Sequence, residues 1–366
     1  MIETKFKQTE LGPIPEDWDV TPISKCLSFG NGRDYKHLDS GIYPVYGTGG
    51  LITHINDFLY EGESVCIGRK GSIDKPQFHS GRFWTVDTLY YTHSFNDVIP
   101  KYVYYCFLCI NWRSLNEASG VPSLSQRIIG GQYIRVASSV YEQRKIAEAL
   151  SDVDKLIREL DTLIEKKRSI MQGTMQELLT AHCRLPGFVH PWRNTLVEKC
   201  CKITTGKSNT QDQIESGIYP FYIRSATVMR SNSYIFDCEG VITIGDGQIG
   251  KVFHYVNGKF DLHQRCYLMY DFDDVDVKFF YFLFSFFFYN RVIALSAKAT
   301  VDPVRRNMIA KMKINIPSTM QEQKAIANIL SDMNDGIEAI EAKRDKYIAV
   351  RQGMLQQLLT GKIRLI

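Results

Sequence analysis

Glu142-Gln143-Arg144-Lys145-Ile146-Ala147-Glu148-Ala149-Leu150-Ser151-Asp152 is answered, 180 residues on, by Glu322-Gln323-Lys324-Ala325-Ile326-Ala327-Asn328-Ile329-Leu330-Ser331-Asp332. The echo continues without a gap. Gln172-Gly173, Gln176, Leu178-Leu179-Thr180 and Arg184-Leu185 recur as Gln352-Gly353, Gln356, Leu358-Leu359-Thr360 and Arg364-Leu365. Across residues 142–185 and 322–365, 17 of 44 positions are identical. The period is half the chain, too long for a stacked solenoid unit, so a domain plus a helix has been duplicated. The order is globule (1–138), helix (139–185), globule (186–317), helix (318–366).

Each helix carries the same start signal. Ser139 stands three residues before Glu142, and Thr319 three before Glu322. Hydroxyl and carboxylate are therefore expected to satisfy exposed helix N–H groups reciprocally. Apolar residues follow in alternating four-three spacing: Ile146, Leu150, Val153, Ile157, Leu160 and Ile164, then Met171 and Leu178 past a break at Lys167. The second copy reads Ile326, Leu330, Met333, Ile337, Ile340, Tyr347, Met354 and Leu358, interrupted by Arg344 and Arg351. A repeat of about 3.5 residues marks a coiled-coil seam, and the charged residues between are its solvated flanks. Gly361 after Thr360 is a natural stop. Each rod of about 40 residues is roughly 60 Å long at ~1.5 Å per residue. The reading is an α+β chain, with two mixed α/β globules separated by two long helices that form an antiparallel coiled coil about a pseudo-twofold internal repeat. The alternative is that each helix packs on its own globule.

The globules are weakly alike. Trp18 and Trp192 open them, and Ser40-Gly41-Ile42-Tyr43-Pro44 recurs as Ser216-Gly217-Ile218-Tyr219-Pro220. Val65-Cys66-Ile67-Gly68 echoes in Ile242-Thr243-Ile244-Gly245. Each globule closes on a proline loop, Val121-Pro122-Ser123 or Val301-Asp302-Pro303, and an extended run, 133–136 or 313–316. Short β-rich runs punctuated by Gly, Asn and Asp predict mixed β structure with one buried helix per globule. Those helices fall in the apolar runs Tyr102 to Ile110 and Phe279 to Tyr289; neither reaches the roughly 20 residues that span a bilayer. No leader-like apolar stretch follows Met1-Ile2-Glu3. Like scaffolds with unlike loops suit two binding modules that read different things.

Composition narrows the chemistry. A net charge of +4 over 366 residues is modest for a chain that lives on phosphate contacts. Any nucleic-acid surface must be local or shared with other subunits. Nine scattered cysteines fit a reducing cytoplasm, and the lone pair Cys106 and Cys109 lies in an apolar run, as core cysteines do; a metal site needs a second pair. Gly245 to Lys251 satisfies GxxxxGK, but Val252 stands where a Mg²⁺-binding hydroxyl is required and no helix pattern follows, so a β-turn is favoured over a nucleotide site. No convergent nucleophile, acid–base or metal set is found, nor a methyl-donor fingerprint. Cationic and polar residues cluster instead at loops: Tyr46, Thr48, Arg69, Lys70, Lys75 and Arg82 in the first globule, and Lys207, Arg224, Arg230, Lys251, Arg305 and Arg306 in the second. Arginine addresses guanine bidentately and lysine neutralises phosphate, so these are the candidate DNA contacts.

Taken in order, these residues resemble the specificity subunit of type I restriction–modification systems. The likeness spans the chain: Leu11-Gly12-Pro13-Ile14-Pro15-Glu16-Asp17-Trp18, Tyr46-Gly47-Thr48-Gly49-Gly50, Ile67-Gly68-Arg69-Lys70-Gly71, Phe83-Trp84-Thr85-Val86-Asp87-Thr88-Leu89, both helix starts, and both Gln-Gly-x-x-Gln-x-Leu-Leu-Thr ends. The resemblance implies that each globule is a target recognition domain for one half of a bipartite, asymmetric site on double-stranded DNA. The helices would set the half-site spacing and dock two methyltransferase subunits through Ile146, Leu150, Ile157, Leu160, Ile164, Ile326, Leu330, Ile337, Ile340 and Tyr347. S-adenosylmethionine, ATP and Mg²⁺ would belong to the methyltransferase and restriction/translocase partners. This chain would hold no catalytic residue, cofactor or metal, and would work in a prokaryotic cytoplasm, on the nucleoid and away from membrane. The rival readings are a self-contained nuclease or methyltransferase with degenerate motifs, and a coiled-coil protein without DNA affinity. Gly245-Asp246-Gly247 lacks the basic pair Arg69-Lys70, which makes Lys251 the nearer candidate in the second globule.

Overall fold

The computed structural model describes residues 4–295 and 303–366. It divides into two compact units, Met1–Asp161 with Ala342–Ile366, and Thr162–Glu341. Both divisions pass through the long helices, Val140–Leu179 and Met320–Leu358. Each unit therefore owns one globule, the beginning of one long helix and the end of the other.

Within the first unit, Arg344 reaches Asp161 at 3.5 Å, Arg351 pairs with Asp154, and Arg364 lies 2.6 Å from Glu142. Numbers rise on one partner as they fall on the other, so the two helical segments are antiparallel. The second unit shows the same order, Arg168 with Glu341 at 2.5 Å and Arg184 with Glu322 at 2.7 Å. Arg344 and Arg351, which interrupt the apolar spacing, are thus absorbed as ion pairs beside it. Leu160, Ile164 and Ile337 are buried, while Ile157, Ile340 and Tyr347 are half-buried.

Helix pairing and packing on the globule turn out to be compatible. Ile146, Ala147 and Leu150 share one core with Leu355, Leu358 and Leu359 and with Trp18, Tyr102 and Phe107 of the first globule. Ile326, Ala327 and Leu330 do the same with Leu178, Leu179, Phe279 and Phe284 in the second unit.

The reciprocal capping arrangement is only half present. The hydroxyls act, with Tyr141 N donating to Ser139 Oγ and Glu322 N donating to Thr319 Oγ1. The carboxylates point elsewhere. Glu142 is fully buried and accepts from Trp18 Nε1 at 3.1 Å and from Arg364 at 2.6 and 2.8 Å. Glu322 accepts from Trp192 Nε1 at 3.1 Å and from Arg184 at 3.0 and 2.7 Å. A buried carboxylate gains more from an indole N–H and a bidentate guanidinium than from fraying backbone N–H groups. The adjacent glutamines are anchors too. Gln143 accepts from Ile99 N and donates to Asp97 O and Ala137 O; Gln323 accepts from Asp276 N and donates to Pro317 O.

The globules share a strand order. In the second unit six strands run Lys202–Thr205, Cys266–Tyr270, Phe236–Ile244, Phe253–Leu262, Tyr219–Tyr222, Met229–Ser231. In the first unit the same succession is split into two four-stranded sheets, because Gln77–His79 and Arg82–Thr85 stand where the second unit has one long strand. Positive-φ glycines mark the equivalent point, Gly81 at 88° and Gly258 at 105°. One parallel pairing recurs, Trp84 with Val45 and Asp261 with Phe221. The extended runs at the globule ends pair antiparallel with the strand that follows or carries each tryptophan, Tyr133–Val136 with Asp19–Pro22 and Lys313–Pro317 with Trp192–Leu196.

The greasy run forms a longer helix than its 11-residue core suggested, Val277–Leu295. By length and composition alone it would cross a membrane. Its Phe279, Phe280, Phe284 and Phe288 are instead buried in the globule's core with Leu178 and Leu330, so it is the core helix of the second unit, as Pro100–Leu108 is of the first.

Removing one partner of a buried ion pair leaves the other charge uncompensated, so Glu142→Ala should cost about 3 kcal/mol in chemical denaturation. Asp17 also binds Arg364, at 2.9 and 2.8 Å, but is half exposed, and Asp17→Asn should cost about 1 kcal/mol or less. The Arg364 guanidinium holds the Asp17 carboxyl below its usual range. That smaller increment is therefore present above the ordinary carboxylate pKa and disappears as pH falls through the depressed value.

Candidate nucleic-acid interface

The first globule's interface is built where its strands end. The fully buried strand Ser64–Gly68 delivers Arg69-Lys70-Gly71-Ser72 as a turn, with Gly71 at φ 90°. Three backbone bonds stitch that turn in place: Arg69 N to Thr88 O (2.8 Å), Leu124 N to Arg69 O (3.0 Å) and Gly71 N to Pro122 O (2.9 Å). The turn after Tyr46 is held by Gln77, whose Nε2 donates to Gly47 O at 2.9 Å. Thr48 Oγ1 lies 3.5 Å from where a Cβ on Gly71 would sit, which places the two turns side by side.

A further segment joins them. A Cβ on Gly32 would come within 2.0 Å of Val86 O, so only glycine allows this backbone approach. Arg33 N then donates to Thr85 O at 2.9 Å, and Gln126 Nε2 to Asn31 Oδ1 at 3.1 Å. Arg33, Arg69, Lys70 and Arg127 are exposed here, and among the described residues none makes an ion pair. Sequence reasoning named Thr48, Arg69 and Lys70 as candidates but not Arg33 and Arg127, which the fold places with them. The glycine before Arg33 was the available signal; for Arg127 there was none, since its position depends on the proline loop folding back.

Three other candidates stand apart. Tyr46 is half-buried and stacked on His79, ring centroids 3.6 Å apart, which fixes its ring against the sheet. Lys75 is exposed beside the Asp74–Arg113 pair. Arg82 begins the strand whose other end, Thr85, meets Arg33; it is bound to Glu61 at 3.1 Å and lies over Phe58 at 4.9 Å.

The same backbone bonds recur in the second globule. Gly245 N donates to Arg265 O (2.8 Å), Val304 N to Gly245 O (2.8 Å), and Ile249 N to Gly247 O (2.9 Å), as Ile73 N does to Gly71 O (3.0 Å). Gly247 has φ 84°. Arg69, Lys70, Gly71 and Ile73 thus correspond to Gly245, Asp246, Gly247 and Ile249. That is one residue away from the register suggested by the letters Ile67-Gly68 and Ile244-Gly245. At the place of Lys70, the second globule has a carboxylate.

Asp246 is clamped by two arginines. Arg224 Nη1 lies 3.1 and 3.2 Å from its two oxygens, and Arg265 Nη1 lies 2.7 Å from Oδ2. Arg265 first, with Arg224, holds this carboxyl below its usual range. A cavity of about 270 Å³ opens beside it, lined by Gly245, Gln264, Tyr267 and Val304. Gly206 repeats the role of Gly32, since a Cβ there would meet Leu262 O at 1.9 Å, and exposed Lys207 follows it. Arg305 stands just before the helix Arg306–Ala310, the place that Ser125 holds before Gln126–Gly130, and both Arg305 and Arg306 are exposed next to Val304. Val301 and Asp302 lie outside the described residues.

Two second-globule candidates make other contacts. Lys251 extends over the Tyr289 ring, 5.4 Å from its centroid, on the core helix, a cation–π contact that draws it to the globule's own wall. Arg230 sits on the outer strand Met229–Ser231 and donates to Ile218 O at 3.2 Å. Arg265 and Asp246 were not foreseen, because nothing in the sequence shows that residues 224, 246 and 265 converge. The GxxxxGK string is a loop that runs into the strand Phe253–Leu262, without the helix N-terminus that a phosphate cradle uses. Among the described residues, no group of three or more His, Cys, Asp or Glu is placed to hold a metal ion. Burial pushes the Cys66, Cys201 and Cys266 thiols up to about 12, which leaves them inert.

Two globules of one scaffold, each carrying a loop cluster, and antiparallel helical segments within each unit define a class: a duplicated α/β module with long paired helices. The chain belongs to the family described as type I restriction modification DNA specificity domain, whose model matches residues 15–167 and again 192–348. It is 22% identical to the type I restriction enzyme MjaVIII specificity subunit of Methanocaldococcus jannaschii, over 99% of this chain and 96% of that one. It is 25% identical to the Escherichia coli EcoDI specificity subunit over 46% of this chain and 37% of that one. The fold is similar to the crystal structure of a type I S subunit from M. genitalium, with TM-score 0.74 and 15% identity over 98% of this chain and 99% of that one.

His79, behind Tyr46, offers a pH test of the first cluster. Burial lowers its pKa from 6.5 to about 4. Between those values the unfolded chain binds the proton and the folded chain does not, so this group's contribution to stability falls as pH drops through that window. His79→Gln should flatten the pH dependence of the urea midpoint there; an unchanged slope would show that the imidazole is not held neutral.

Proposed function

We propose that this chain is the DNA-reading, non-catalytic specificity subunit of a type I restriction–modification complex. Each globule would read one half of a bipartite, asymmetric site on double-stranded DNA. The carrying observation is that matched backbone turns hold Arg69-Lys70 in one globule and Gly245-Asp246 in the other. One scaffold with unlike side chains at equivalent points suits two unlike half-sites. The long helices would set the half-site spacing and dock two methyltransferase subunits through their apolar and flanking positions. Those partners would bring S-adenosylmethionine, and restriction/translocase subunits would bring ATP and Mg²⁺ chemistry, in the cytoplasm of a prokaryote. This arrangement also accounts for the modest net charge of +4, since several chains would share the phosphate contacts.

Mapping methylated adenines in DNA from cells with and without this chain, in the presence of its partner subunits, tests the reading directly. A bipartite motif that vanishes with the chain is expected. Methyl transfer or Mg²⁺-dependent cutting by the purified chain alone would instead favour the self-contained enzyme. Arg69→Glu with Lys70→Glu should abolish modification governed by the first half-site and reduce the salt dependence of duplex binding by about two phosphate contacts. Removing one heptad from the middle of each long helix shortens a rod by about 10 Å. At ~3.4 Å per base pair the spacer should contract by about three base pairs with both half-sites unchanged. Unaltered spacing would sink the ruler idea.

A further inference from the structure

We propose that Asp246 is a specificity-determining buttress: it fixes Arg224 and Arg265 as a paired reader of guanine in the second globule's half-site. This rests on the DNA-reading function proposed above and assigns the chemistry of one half of it.

The geometry separates a base reader from a phosphate contact. Arg224 spends one nitrogen on Asp246, at 3.1 and 3.2 Å, and Arg265 spends one at 2.7 Å. A guanidinium has five N–H donors in a rigid fork. Among the described residues no other hydrogen bond engages either guanidinium, so each keeps donors to offer outward. Their side chains are 41% and 61% exposed, against 21% for the carboxylate between them. The carboxylate is therefore behind the two cations, not in front of them.

A phosphate contact gains nothing from such a partner. A carboxylate about 3 Å behind a guanidinium repels a phosphate and cancels part of the attraction. The first globule shows the alternative, because Lys70, at the equivalent backbone position, is exposed with no carboxylate. Guanine presents two neutral acceptors, O6 and N7, in the major groove, and a fixed fork matches them bidentately. Holding the plane before binding removes rotamer freedom that would otherwise be lost on binding. The support is itself rigid. Gly245 N binds Arg265 O, Arg265 N binds His263 Nδ1 at 3.0 Å, and Val304 N binds Gly245 O, so Asp246 and Arg265 sit on backbone that is tied together. Arginine strength in DNA recognition is ordinary; the fixing of two by one acid is what commits this site to base edges.

The test compares the wild-type chain with Asp246→Asn, Arg224→Lys and Arg265→Lys, each assembled with its partner subunits, on duplexes randomised in one half-site at a time. Methylated sites in cells carrying each variant supply the second readout. We expect Asp246→Asn to lower the preference for guanine by about tenfold at one or two positions of a single half-site, with the other half-site untouched. Each lysine variant should relax one of those positions. If Asp246→Asn fails to fold, the two lysine variants carry the test alone. The proposal is overturned if the arginine variants weaken binding to all sequences equally while the salt slope drops, which is the behaviour of a phosphate contact. It is also overturned if the responding positions hold no guanine on either strand. A wild-type assembly with no sequence preference at all would instead overturn the DNA-reading function and is recognisable before any variant is made.

Discussion

Glu142 and Glu322 are buried carboxylates, and the rest of each unit is arranged around making them tolerable. Each takes an indole N–H from the tryptophan that opens its own globule and two guanidinium N–H groups from the arginine that follows the other long helix. Three separate parts of the chain thus meet at one charge. Desolvating a carboxylate costs several kcal/mol, an amount that a misplaced helix end would leave uncompensated. The pairing of the helices is in this sense enforced at their ends by electrostatics, while leucine and isoleucine supply the attraction between.

That constraint explains which letters the duplication has kept. Trp18 and Trp192, Glu142 and Glu322, and Arg184 and Arg364 are a single contact written twice. The glutamines beside the glutamates add a second fixed point, tying each helix start to the loop before the core helix. Between these anchors the two helices diverge freely, since their flanking residues face solvent.

The helical half of the fold was legible because it is periodic. Four-three spacing and an offset of 180 are properties of a string, and both helices lie where that string puts them. The loop clusters were legible only in pieces. Arg69 and Lys70 announce themselves between glycines, whereas Arg33 and Arg127 become neighbours of that turn through backbone bonds spanning tens of residues. Matching letters even misled by one place. Ile67-Gly68 and Ile244-Gly245 look equivalent, but the bonds to Thr88 O and Arg265 O pair Arg69 with Gly245. A hydrogen-bond pattern is kept by geometry, and side chains drift around it. The role of Glu142 was misjudged for a related reason: its spacing from Ser139 suits a local cap, while its true partners, Trp18 and Arg364, are 124 and 222 residues away.

The first unit is assembled from two stretches, Met1–Asp161 and Ala342–Ile366, with the whole of the second unit lying between them in the chain. During synthesis the second unit is complete while the first still lacks Leu355, Leu358, Leu359 and Arg364. Until these emerge, Ile146 and Leu150 have no helical partner and Glu142 has no countercharge. The order of translation is thus opposite to the order of maturation: the head made first is finished last.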